Sequence, residues 1–98
     1  MTEKEREKAI IEIINHYGKD SQIDICIEEL SELTKALLKY RRANNPVEMK
    51  LAISNIIEEI ADVKIMSKQM EKLFFCEAET ARMVDFKIQR QIKRMAEE

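Results

Sequence analysis

Punctuation constrains this chain more than anything else: one glycine, Gly18, and one proline, Pro46, are its only strong backbone breakers in 98 residues. Elsewhere apolar residues recur at three- and four-residue spacing, the period of a helix with one buried side. Ile10, Ile13, Ile14 and Tyr17 follow that spacing, so a first helix starting near Thr2 should end at Gly18 in the left-handed conformation glycine favours. Asn45-Pro46-Val47-Glu48 reads as an N-cap, a first-turn proline and the acid of a capping box, which opens another helix. The class is all-α: about four helices in a single domain spanning residues 1–98.

Between those marks, Ser21 offers an N-cap with Asp24 in the first turn, so a second helix should run to about Arg42. The third should continue from Pro46 to Leu73 or Phe74. A weak break at Cys76 to Glu79 precedes a fourth, whose buried face is expected to be Ala81, Val84, Ile88, Ile92 and Met95. Helices two and three are apolar over more of their circumference than a lone four-helix monomer could cover. Self-association follows as an expectation, as a homodimer or homotetramer with no stable monomer.

Composition narrows the partners. A net charge of −2 gives no global attraction to nucleic acid. No apolar run approaches the roughly 20 residues that cross a bilayer, and Met1 to Lys8 has the opposite character to a secretion signal. No nucleic acid, no membrane and a cytoplasmic location are the expectations. Cys26, Cys76 and the lone His16 lack the spacing of a zinc site. Cys26 is read as a small core residue and His16 as a helix-end residue.

Two acidic stretches stand out against this background: Glu28-Glu29-Leu30-Ser31-Glu32 in helix two and Glu59-Ile60-Ala61-Asp62 in helix three. Acids three positions apart project from the same side of a helix. Glu28 falls at the edge of a polar arc, whereas Glu29 and Glu32 border Ile25, Cys26, Leu33 and Ala36. Glu59 and Asp62 belong to a polar stripe with Asn55 and Gln69, set among Ala52, Ile56, Val63, Met66 and Leu73. A carboxylate in an apolar setting needs a hydrogen bond, a cation or a metal. Carboxylates converging from two antiparallel helices select a hard cation, Mg²⁺ or Mn²⁺, which typically keeps positions open for water and phosphates. The plain alternative is a solvated surface paired with Lys35, Lys64 and Lys68. Di-iron carboxylate bundles need ExxH pairs, and neither stretch has the histidine. Lys87, Arg90 and Arg94 form a basic arc on helix four, suited either to phosphate or to the helix dipole.

The pair Glu28-Glu29-x-x-Glu32 and Glu59-x-x-Asp62, together with Gln22 to Tyr40, Asn55 to Asp62 and Lys87-x-x-Arg90, resembles the MazG-like all-α nucleoside triphosphate pyrophosphohydrolases, in particular their short, single-domain, phage-type members. The resemblance implies a homo-oligomeric helical bundle that uses Mg²⁺ to cleave a ribo- or deoxyribonucleoside triphosphate into the monophosphate and pyrophosphate. It implies Glu29, Glu32, Glu59 and Asp62 as metal ligands. Glu28 would be a further ligand or the water-activating base, with Glu32 the other catalytic carboxylate. Lys87 and Arg90, the latter pair reaching from the same or a partner chain, and Gln22 and Gln69 would bind substrate. The competing expectation is a non-catalytic helical homo-oligomer acting as an adaptor or nucleotide-binding regulator.

Overall fold

The computed structural model describes residues 1–98 and contains four helices and no strand: α1 (Glu3–Tyr17), α2 (Lys19–Arg41), α3 (Pro46–Leu73) and α4 (Glu77–Glu97). None is long and apolar enough to cross a membrane. Each boundary has a local cause. Thr2 caps α1, its hydroxyl accepting from the Glu5 N–H at 3.1 Å. Gly18 closes it at φ 89°, ψ 160°, donating its N–H to the Ile14 carbonyl at 2.8 Å.

Gly18 also opens α2, where the sequence reading differs from the structure. Ser21 was expected as the cap, but the Gly18 carbonyl already accepts from the Gln22 N–H at 3.1 Å. The positive φ turns the chain within one residue, which places Ser21 inside the first turn and gives Asp20, rather than Asp24, the first-turn position. Arg42 ends α2 as expected. At α3, Asn45 Oδ1 accepts from the Glu48 N–H at 2.9 Å with Pro46 in the first turn. Glu48 Oε2 reaches one residue further back than a capping box does, accepting from the Asn44 N–H at 2.8 Å.

The break before α4 is shorter and earlier than Cys76 to Glu79. It occupies Phe74 to Cys76, with Phe75 at φ 51°, and the helix resumes at Glu77. A non-glycine residue in the left-handed region is uncommon, and no turn residue in the sequence announces it.

The architecture is built on the α2–α3 hairpin. α1 packs against both of its helices, whereas the backbone of α4 comes close to α3 alone. Five side chains are buried: Ala36, Ala52, Met66, Gln22 and Gln69. The expected buried face of α4 is a correction: Val84, Ile88, Ile92 and Met95 are each more than half exposed. The periodicity of that helix is amphipathic, but its direction after the joint at 74–76 carries the apolar stripe away from α2 and α1. Ile27, Leu30 and Leu37 of α2 and Ile53, Ile57 and Ile60 of α3 are exposed as well.

Candidate metal centre

Seven residues make two helical turns, so positions seven apart return to one line along a helix. On α2 that line holds Gln22, Glu29 and Ala36. On α3 it holds Ala52, Glu59 and Met66, with Asn55, Asp62 and Gln69 one step round the helix. Gln22, Ala36, Ala52, Met66 and Gln69, at the ends of these lines, are buried, which identifies them as the α2–α3 seam. The acids therefore sit at its midpoint.

Glu29 and Glu59 are half-buried there, with Asp62 at the more open rim. One carboxylate oxygen from each of the three lies within 4.8 Å of the others. Glu59 Oε2 is shielded from solvent and has no hydrogen-bond partner. Burial raises the Glu29 pKa above the usual carboxylate range, and the charge and hydrogen bonding of Asp62, then the charges of Glu59 and Glu32, push in the same direction. The chain's own cations do not relieve this. Its ion pairs are Lys35–Glu32, Lys68–Glu77, Lys72–Glu77, Lys72–Glu7 and Arg82–Glu79, and none involves the three acids.

Such a set fits a hard divalent cation. Oxygens on opposite sides of Mg²⁺ stand about 4.2 Å apart and those around Ca²⁺ about 5 Å. A separation within 4.8 Å is thus closed by rotamer adjustments of a few tenths of an ångström. The orphaned Glu59 oxygen is the group such an ion would satisfy.

The other expected residues are distributed differently. Glu28 and Glu32 line an open groove of about 580 Å³ together with Ile27, Glu29, Ser31 and Lys35, so Glu29 belongs both to the seam and to the groove. Glu32 stands outside the trio, its Oε1 accepting from Lys35 Nζ at 3.4 Å. Of the lysines considered as surface partners, Lys35 fills that role, while Lys68 pairs with Glu77 instead. Gln22 and Gln69 are 2% and 1% exposed, with Nε2 of the first and Oε1 of the second unpartnered. In an antiparallel pair, seven before Glu29 and seven after Asp62 are the same end of the seam. Lys87 and Arg90 are exposed on α4, with the Arg90 guanidinium 5.7 Å from the centre of the Phe86 ring. Because the backbone of α4 stays away from that of α2, neither is brought to the acidic site within one chain.

The sequence reading missed a second charged cluster. Lys72, whose side chain is 12% exposed, lies 3.6 Å from Glu7 of α1 and 3.4 Å from Glu77 of α4, and Lys68 adds a contact of 3.2 Å to Glu77. Hydrogen bonds from Lys68 and then Lys72 hold Glu77 below its ordinary pKa. Three helices meet in it, so no spacing within one helix could announce it.

Comparison with models of known protein families, with curated proteins and with solved structures gave no match, which leaves function to be argued from this geometry.

Proposed function

We propose that this chain is a MazG-like, Mg²⁺-dependent nucleoside triphosphate pyrophosphohydrolase that acts as a homo-oligomer in the cytoplasm. The observation that carries the reading is the trio Glu29, Glu59 and Asp62, drawn from two helices, unpaired with any cation of the chain, and including a buried carboxylate oxygen without a partner. Mg²⁺, or Mn²⁺ in its place, would be held by these three, and when bound it supplies neutralising charge at the phosphates and acidifies water.

The remaining roles fall to the chain. Glu28 and Glu32, which line the groove beside Glu29, would accept the proton of the attacking water. Water adds to the α-phosphorus, the bond from that phosphorus to the α–β bridging oxygen breaks, and pyrophosphate leaves. For Glu32 to join the metal ligands it must release Lys35, an exposed i,i+3 partner whose pairing is worth a fraction of a kcal/mol. Lys87 and Arg90 would approach the phosphates from a second chain.

The test is release of pyrophosphate from a panel of ribo- and deoxyribonucleoside triphosphates with Mg²⁺. Activity should vanish in Asp62→Asn and Glu32→Gln proteins that keep their helical circular dichroism. Orthophosphate as the first product, or unchanged turnover in those variants, rejects it. One observation favours the adaptor or nucleotide-binding regulator instead: Glu32 is engaged by Lys35 outside the trio. That reading requires no pyrophosphate release from any triphosphate in the panel.

A further inference from the structure

The chain has two cysteines, far apart in sequence, and both are unbonded and partly exposed, Cys26 included although its apolar setting predicted a core residue. The fold brings them to one place. Cys26 of α2 and Cys76, the last residue of the joint before α4, line the same concavity of about 280 Å³, with Leu30, Met70, Phe74 and Thr80 among its other walls. Thr80 Oγ1 donates to Cys76 Sγ at 3.6 Å, which holds this sulfur on the wall of the concavity from the first turn of α4. Two partly exposed thiols from different elements, opening on one small space, are an arrangement for chemistry rather than for filling a core.

The geometry permits a bond between them. A rounded space of that volume is roughly 8 Å wide, and a disulfide joins Cα atoms about 5.5 Å apart, so an approach of a few ångströms closes it. The joint is the part of the chain able to move. Cys76 lies outside both helices, next to Phe75 at φ 51°, and the ion pairs that join α4 to the other helices all end on one residue, Glu77. Cys26, by contrast, sits within a continuous helix that packs along α3. The pair thus links a fixed element to a movable one.

We infer that Cys26 and Cys76 form a reversible intrachain disulfide that pins the leading end of α4 to α2, so that the redox state of the pair governs the helix bearing Lys87 and Arg90. The oxidant is a low-molecular-weight disulfide. One cysteine loses its proton and its sulfur attacks the reagent, forming a mixed disulfide and releasing one reagent thiol. The second cysteine, also deprotonated, attacks the first sulfur, which closes the protein S–S bond and releases the other reagent thiol. Two protons and two electrons leave the protein and appear on the two released thiols. A compartment kept reducing by the same thiol runs the exchange backwards, which makes the pair a switch there and not a permanent staple. The latch uses none of the acids of the seam, and it stands whether or not they hold a metal.

Incubation of the intact chain with millimolar glutathione disulfide tests it. The expected product is a single chain lighter by two hydrogens, free of glutathione, with the tryptic peptides of Cys26 and Cys76 joined, and restored by dithiothreitol. Hydrogen exchange over Glu77 to Met83 should slow about tenfold or more on oxidation. Cys26→Ser and Cys76→Ser proteins should each retain one glutathione, and neither should gain protection in α4. Wild-type thiols that stay free, that keep a glutathione each or that join separate chains overturn the inference. So does an internal bond that leaves exchange over α4 unchanged, or the same gain of protection in either serine variant.

Discussion

A carboxylate surrounded by other carboxylates pulls stability and function in opposite directions, and Glu29 is where this shows. Its raised pKa means that the folded chain binds a proton more tightly than the unfolded one. The resulting penalty is absent below the ordinary carboxylate pKa and grows as pH rises through the folded value, so metal-free protein loses stability between mildly acidic and neutral pH at this position. Glu29→Gln should therefore stabilise metal-free protein at pH 7 by about 1 kcal/mol, the repulsion of two unit charges near 4 Å in water. If the three acids hold Mg²⁺ as proposed, the ion should raise the Tm of wild-type protein and the same variant should abolish that rise. Thermal melts at pH 5 and pH 7, with chelator and with Mg²⁺, check both signs. Glu59→Gln should cost at least a hundredfold in Mg²⁺ affinity, measured by calorimetry, because it removes charge from the one oxygen that has no other partner. The acids of the seam were legible in the sequence because Glu29, Glu59 and Asp62 interrupt apolar surface. Glu32 carries the same spacing signal yet turns to Lys35, a choice between two exposed rotamers that no periodicity encodes.

Helix ends follow the same logic of local chemistry against tertiary geometry. Asn45 and Pro46 mark the start of α3 in sequence and in structure, and Asn45→Ala should cost about 1 kcal/mol, read from urea denaturation. Gly18 was legible as a stop but not as the following start, since a single residue serving both helices leaves no linker to recognise. Its absent side chain would meet nothing within 4 Å, so Gly18→Ala is penalised by backbone conformation alone, by about 1–3 kcal/mol, since φ 89°, ψ 160° is a region only glycine adopts readily. The joint at 74–76 was misplaced because Phe75 adopts φ 51° without the glycine or asparagine that normally signals it. Glu77, depressed by Lys68 and Lys72, acts with the opposite sign to Glu29: its contribution is present above the ordinary carboxylate pKa and disappears as pH falls through its lowered value. Lys72→Met should speed amide exchange over the first turns of α4 at neutral pH and leave the acid limit nearly unchanged.

Across the whole molecule, the fold class and the number of helices were readable from a chain with so few breakers, whereas the direction of α4 was not. An amphipathic stripe states that something must cover it and is silent on which surface does so. If the cover is a second copy, Tm should rise with protein concentration, and differential scanning calorimetry over a hundredfold range measures that dependence. The Lys72 contacts carry one more consequence. Because a single ammonium group touches both Glu7 and Glu77, the opening and closing helices are tethered to each other through it. A proteolytic nick within the first two turns, far along the chain from α4, would slacken the grip on its leading end, and trypsin should then find Arg82 and Lys87 sooner.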